Sequence, residues 1–264
     1  MCSLLVFPRK SLKSLTKTIK AVKEKMNGRI FPISAPVFRI SSTDIRNRVK
    51  NGQTVRYMLP ENVRDYINKY HLYKGNEMID NYKNKLKSTL SEKRYKHSLG
   101  VCDEAVKLAE KYGADTEKAY TAGILHDCAK GYDTDDQIKL CQKYGVVLDD
   151  ITLACKPVIH APLGAKIAKA EYGVNDKDVL DAIMCHTVAK ENMSLLDKII
   201  YIADMIEPMR DFDGVEELRK AAYENIDRTF ILGLKQSIVF NAQKNKIIHP
   251  NTLSAWNYML MNGK

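Results

Sequence analysis

A chain of 264 residues with 45% hydrophobic and 28% charged residues has enough apolar material for one large or two smaller globular cores, which excludes a disordered or fibrous protein. The formal net charge is +10, yet residues 1–75 carry 16 Lys and Arg against 4 Asp and Glu, leaving 26 and 28 for the remainder. A basic segment beside a near-neutral one implies two units, the first either facing an anionic partner or carrying solvated cations on its helix faces. The opening MCSLLVF lacks the basic start and apolar length of a signal peptide, and no stretch approaches the roughly 18 apolar residues of a membrane span. Six cysteines (Cys2, Cys102, Cys128, Cys141, Cys155 and Cys185) follow no CxxC or regular spacing and read as reduced thiols. The expectation is a soluble, cytoplasmic protein.

In chain order, Leu4–Phe7, ended by Pro8, reads as a buried strand. A basic helix over 11–25 follows, with Leu12, Leu15, Ile19 and Val22 at helical spacing and Gly28 as its stop. Residues 29–36, RIFPISAP, are extended and punctuated by proline. Ser41, Ser42 and Thr43 then precede a helix over 44–50, so hydroxyls and unpaired N–H groups gather at a helix start that can bind phosphate, although capping alone is their ordinary role.

The run from Leu4 to Tyr73 resembles the C-terminal third of the bacterial nicotinate-nucleotide adenylyltransferases. The ISSTxIR signature of that family stands here as Ile40-Ser41-Ser42-Thr43-Asp44-Ile45-Arg46, followed by Arg56-Tyr57, Pro60, Val63 and Tyr66-Ile67. The resemblance implies a small α/β fragment of a Rossmann-like nucleotidyltransferase whose Ser, Thr and Arg contact ATP phosphates. The family's Gly-rich strand and HxGH motif are missing from the chain as it begins. Residues 1–75 are therefore expected to be a C-terminal remnant, unable to transfer adenylate alone and, with unpaired strand edges, prone to aggregate.

Lys74, Gly75 and Asn76 mark the boundary. Beyond it, helices are expected over 91–112, 116–126, 135–144, 161–172, 177–187, 194–206, 215–223 and 226–244, with no alternating strand pattern, so residues 76–264 should form an all-helical bundle. Its organising stretch is GILHDCAK, where His126 and Asp127 stand side by side at a helix end and can reach one metal ion together. An isolated His-Asp pair is weak evidence. Its weight comes from His97 in RYKHSLGV, His160 in VIHAPLGA, His186 in MCHTVAK and Asp204 in IIYIAD. Asp204 follows Ile200 by one turn, on the apolar face of Leu196, Ile199, Ile200 and Ala203, where an ionised carboxylate costs several kcal/mol unless paired or bound to metal. Imidazole with carboxylate suits iron, manganese or zinc better than calcium, and no thiolate suggests a structural zinc site.

The order H…HD…H…H…D resembles the HD superfamily of metal phosphohydrolases. The strings RYKHSLGV, AGILHDCAK, HAPLGA, CHTVAK, MSLLDKIIYIADMIEPMRDFDGV and IHPNTLSAWNYML further resemble the symmetrical bis(5'-nucleosyl)-tetraphosphatases across residues 82–261. That resemblance implies that His97, His126, Asp127 and Asp204 hold a divalent metal, iron first, and that His160 and His186 serve as second-metal ligands or phosphate contacts. It places Lys130 and Arg210 on phosphate, the alternative for Arg210 being a surface pair with Asp211 or Asp213, and Thr187, His249, Asn251 and Thr252 around the nucleotide. The implied reaction is metal-dependent hydrolysis of diadenosine tetraphosphate into two ADP, the metal polarising a phosphoryl oxygen and lowering the pKa of a water. The partner is then a nucleotide rather than nucleic acid or membrane, with a homodimer as a candidate assembly. Rival readings keep the site but change the nucleotide, treat the chain as a nucleotide-binding or assembly module, or make it bifunctional with an adenylyltransferase in a longer chain.

Overall fold

The computed structural model describes residues 3–6, 19–20, 22, 29–32, 40–50, 53–69 and 77–262, and divides into two units, Met1–Asn76 and Glu77–Lys264. In the first unit, β1 (Ser3–Val6) pairs in parallel with β2 (Arg29–Pro32), Ser3 opposite Arg29 and Val6 opposite Pro32. The strand expected from LLVF is present, one residue earlier, and Phe7 lies outside the described residues. A parallel pair needs a long crossover. The basic helix expected over 11–25 falls in that connection, where residues 19, 20 and 22 are helical and the others lie outside the described residues. Helix α1 (Ser42–Lys50) starts two residues earlier than expected, with the Ser41 hydroxyl oxygen accepting the Asp44 N–H at 3.0 Å. Helix α2 (Glu61–Lys69), not anticipated, follows Pro60, and Val49, Val55 and Ile67 make a small core with Ile45, Met58 and Leu59.

Residues 77–262 contain helices and no strand. The elements are α3 (Glu77–Thr89), α4 (Glu92–Tyr112), α5 (Thr116–Leu125), a 3-10 turn (Cys128–Gly131), α6 (Thr134–Lys143), α7 (Asp150–Ala154), a second 3-10 turn (Lys156–Val158), α8 (His160–Tyr172), α9 (Lys177–Cys185), α10 (Leu195–Ile206), α11 (Val215–Ala222), α12 (Ile226–Gln243) and α13 (Pro250–Asn262). Every expected helix appears within two residues of its limits. Caps explain the agreement: Ser91, Asp115, Asp133, Asp176, Ser194 and Asn225 each accept backbone N–H groups at a helix start, and Gly113 and Gly173 end α4 and α8 in the left-handed conformation.

The core lies between α4, α5, α8, α9 and α10, where Leu108, Ile124, Leu125, Ile167, Ile199 and Ile202 are fully buried. Helices α4 and α5 approach most closely at Gly123, where a Cβ would stand 2.9 Å from the Cys102 Cα. The glycine is what permits this approach, and it brings the C-terminal end of α5 against the first turns of α4. There the polar residues collect.

Candidate metal centre

The centre is built at helix ends. Arg94 and His97 lie in the first two turns of α4; His126 and Asp127 follow α5; His160 opens α8; His186 follows α9; and Asp204 stands in the last turn of α10. Helix termini leave carbonyls without intrahelical donors. Three of the histidines use them: Nδ1 of His126 donates to the Gly123 carbonyl, Nδ1 of His160 to that of Pro157 and Nδ1 of His186 to that of Ile183, each at 2.7 Å and each three residues back. A carbonyl can only accept, so each Nδ1 carries the proton and each Nε2 of the neutral ring is a bare lone pair. His97 is oriented by another route, its Nδ1 lying 3.0 Å from the Glu207 carboxylate, whose side chain is 1% exposed.

The four Nε2 atoms converge. Those of His97 and His126 are 3.3 Å apart, and those of His160 and His186 are 3.1 Å apart. Asp127 lies between the pairs. Its Oδ1 is 3.1 Å from His160 Nε2 and 3.7 Å from His186 Nε2, while its Oδ2 is 3.5 Å from His126 Nε2 and 3.7 Å from His97 Nε2. Asp204 Oδ1 completes the first group at 3.0 Å from His97 Nε2 and 3.9 Å from His126 Nε2. Lone pairs and carboxylate oxygens buried face to face repel one another unless a cation lies among them. The donor sets His97, His126 and Asp127; His126, His186 and Asp204; and Asp127, His160 and His186 are each close enough to hold a metal ion. The outward Nδ1 bonds fix ligand orientation in the manner of metal-site histidines. The residues present fit a metal.

The two ends of this cluster differ electrostatically. Burial pulls His97 down, but bonding to the Asp204 and Glu207 carboxylates outweighs it and leaves its pKa above the ordinary value. Burial lowers His160 to about 4, further than its contact with Asp127 restores. Burial alone would raise the carboxyl of Asp127, yet His126, His160 and His186 hold it well below the usual range, and His97 and Arg210 do the same for Asp204.

Three cations surround the carboxylates. Arg94 Nη1 is 2.7 Å from Asp127 Oδ2, and Arg210 pairs with the Asp204 side chain while its Nε donates to the Asp204 carbonyl at 2.7 Å. Arg210 thus belongs to the centre, and its alternative partners Asp211 and Asp213 are not the ones it takes. Lys130 Nζ donates to the Pro157 carbonyl at 3.3 Å, the same oxygen that holds His160, and burial lowers its pKa. Of the residues expected around a nucleotide, Thr187, next to His186, keeps a buried hydroxyl without a hydrogen-bond partner among the described residues. The Thr252 hydroxyl donates to the Val188 carbonyl at 2.9 Å, His249 Nε2 meets the Thr152 hydroxyl at 3.2 Å, and the Asn251 N–H donates to His249 Nδ1 at 3.2 Å. These last residues tie the start of α13 to the segment after His186 and to α7. Among the described residues, none of the three hydrogen-bonds to the six metal-facing side chains.

Sequence reasoning assigned no role to Arg94 or Glu207, although both lie inside quoted strings. A signal was available in the spacing: Arg94 precedes His97, and Glu207 follows Asp204, by three residues, which keeps each on the face of its neighbour.

An all-helical bundle with this His and Asp order is what the HD domain comprises, and the HD domain family model matches residues 94–209. The chain is 42% identical over 179 residues to the "Bis(5'-nucleosyl)-tetraphosphatase, symmetrical" of Halalkalibacterium halodurans, covering 68% of this chain and 95% of that one. It therefore belongs to the family of HD-domain symmetrical bis(5'-nucleosyl)-tetraphosphatases. A crystal structure of a predicted HD superfamily hydrolase involved in NAD metabolism, from Clostridium acetobutylicum, aligns with a TM-score of 0.67 at 46% identity, covering 69% of this chain and 96% of that one. A further 76-residue match, 38% identical and spanning 28% of this chain and 38% of the relative, is to the "Probable nicotinate-nucleotide adenylyltransferase" of Clostridium novyi.

Proposed function

We propose that residues 76–264 are a metal-dependent phosphohydrolase that cleaves diadenosine tetraphosphate symmetrically into two ADP. The observation that carries this reading is the convergence of four imidazole Nε2 atoms and two carboxylates in a chain whose matched relatives bear that activity in their names. His97, His126, Asp127 and Asp204 would hold one divalent metal, iron in the first instance and manganese or zinc as alternatives, with Asp127, His160 and His186 as a second donor set. When bound, such a metal polarises the phosphoryl oxygens and makes water a nucleophile at neutral pH.

The chain's own side chains supply the remainder. A tetraphosphate brings several negative charges into a buried site, and Arg94, Lys130 and Arg210 stand around the carboxylates as its counter-charges. The two arginines present planar forks suited to phosphate oxygens, and both rest on metal-facing carboxylates, so a metal that takes those carboxylates frees guanidinium donors for substrate. Burial of Lys130 removes competing water, and its lowered pKa reflects that desolvation. Thr187 offers a hydroxyl with no partner among the described residues, next to His186, while His249, Asn251 and Thr252 would frame the nucleoside end. Five cysteines among the described residues are free thiols, which supports action in the reducing cytoplasm.

The test is the product pattern. Protein loaded separately with iron, manganese or zinc is incubated with diadenosine tetraphosphate and the nucleotides are separated. ADP alone, lost with chelator, is the expected result. AMP with ATP would overturn the cleavage position, and no turnover with any metal would move the substrate to another nucleotide.

A second activity is favoured by the Clostridium novyi match together with the ISSTDIR segment at α1. Residues 1–75 would then correspond to the C-terminal part of a nicotinate-nucleotide adenylyltransferase, with Ser41, Thr43 and Arg46 near its phosphate site. Adenylate transfer to nicotinate mononucleotide by the longer chain would support this, and its absence there would leave residues 1–75 without that role.

A further inference from the structure

We infer that Arg219, which lies outside the metal centre, is its positioning residue: one guanidinium clamps the turn after α10 and so places both Glu207 and Arg210. The inference rests on the metal-centre reading above. Arg219 sits on α11, and its side chain is directed back onto the end of α10. Its Nε donates to the Ile206 carbonyl at 2.9 Å, and its Nη2 donates to the carbonyls of Glu207 at 2.9 Å and Arg210 at 2.8 Å. Its remaining arm pairs with Glu216.

These three carbonyls bracket a turn with few donors of its own. Helix α10 ends at Ile206, leaving terminal carbonyls unpaired, and Pro208 contributes no N–H. Within the turn, the Arg210 N–H reaches the Glu207 carbonyl at 2.9 Å, and the Met209 N–H reaches Glu207 Oε2 at 2.7 Å. The Glu207 N–H also donates to the Ala203 carbonyl at 3.0 Å and Arg210 Nε to that of Asp204 at 2.7 Å, and Arg219 adds the three donors that tie Ile206, Glu207 and Arg210 to α11.

Two side chains leave this turn toward the centre. Glu207 Oε1 holds His97 Nδ1 at 3.0 Å, and Arg210 holds Asp204. The seat for the Glu207 carboxylate is narrow: a Cβ at Gly100 on α4 would stand 2.7 Å from Oε2. A carboxylate that fits only against a glycine tolerates little movement of its backbone. Shifting the turn therefore moves the group that orients His97 and the group that neutralises Asp204 together. Arg219 suits this task because a rigid planar fork can engage three carbonyls at once, whereas the ammonium of lysine is a point charge on a flexible stem.

The test uses the full chain with Mn2+ alone as probe, its binding followed by electron paramagnetic resonance, and circular dichroism to confirm folding. Arg219→Met is expected to stay folded and to lose about tenfold or more in Mn2+ affinity, the range seen when outer partners of metal ligands are removed. Glu216→Gln, which breaks only the outer ion pair, should leave it unchanged. Folded Arg219→Met with wild-type affinity overturns the inference. Should that variant not fold, Arg219→Lys is read in its place: the same loss supports the clamp and wild-type affinity overturns it. Because the readout is metal affinity, a wild-type protein inert toward diadenosine tetraphosphate would defeat the proposed substrate while leaving this comparison intact.

Discussion

The α4/α10 side of the metal centre and its α8/α9 side use the same ligand types in opposite ways. His160 and His186 each point Nδ1 at a carbonyl three residues back, so the local chain segment that carries the ring also orients it. His97 depends on Glu207, a partner 110 residues away on another helix end. The chemical result differs accordingly. Burial takes His160 to about 4, further than its one carboxylate contact, with Asp127, restores; two carboxylates, Asp204 and Glu207, outweigh burial at His97, which rises above the ordinary value. The comparison teaches that the α8/α9 side is ordered by local sequence, whereas the α4/α10 side is ordered by tertiary structure and is the one open to disruption from a distance.

The largest expected effect comes from the residue the two sides share. Asp127→Ala removes Oδ1 from one donor set and Oδ2 from the other, and leaves Arg94 without its partner. Turnover should fall by roughly 10³-fold or more, in the range that loss of a central charge-stabilising group produces. Metal analysis should show both sets emptied, and retention of one equivalent of metal would mean that the two sides are independent.

Glu207→Gln tests the difference between the sides directly. The amide keeps the size that the Gly100 seat requires but replaces a carboxylate by a dipole, making His97 resemble His160. The expected cost is about 10–100-fold in metal affinity or activity, confined to the α4/α10 set. Equal weakening of both sets in a metal titration would remove the asymmetry.

How much of this was legible in the sequence follows the same division. The six metal-facing residues could be read because each lies at or near a helix end marked by its own caps, and the three carbonyl bonds are local consequences of that placement. The observed limits fall at Asp115, Asp176 and Ser194 at the starts and Gly113 and Gly173 at the stops. Glu207 shares a face with Asp204 by spacing, but its partner His97 is fixed only once α10 packs on α4. Helices α3, α7 and α13 are absent from the expected set: Lys-rich turns dilute the Ile79, Tyr82 and Leu86 stripe of α3, five residues carry too little periodicity in α7, and α13 buries only Thr252, Ala255 and Met259. His249, Asn251 and Thr252 were expected at the nucleotide, and the contacts found among them are structural ones with α7 and Val188.

Gly123→Ala perturbs the α4/α10 side through packing rather than chemistry. The new methyl would stand 2.9 Å from the Cys102 Cα and 3.3 Å from its nitrogen, which are backbone atoms that cannot rotate aside. Forcing α4 from α5 should cost about 1–3 kcal/mol of stability, as overpacked cores do, and denaturant melts would measure it. The Gly123 carbonyl also holds His126, so metal affinity should fall with stability. Stability lost with affinity untouched would show that the His126 bond tolerates the displacement.

The smallest effect is expected from Thr252→Val on the other side. Valine matches threonine in shape, and the change deletes one donor, leaving the Val188 carbonyl without the hydroxyl that reaches it at 2.9 Å. The cost should be about 1–3 kcal/mol at most, because the carbonyl is unsatisfied rather than the core disturbed. If the α8/α9 side is ordered locally, the His186–Ile183 bond should survive and metal affinity should stay near that of the wild type, while Michaelis constants for nucleotide rise as the start of α13 loosens. A drop in metal affinity in this variant would mean that His186, like His97, is held from a distance.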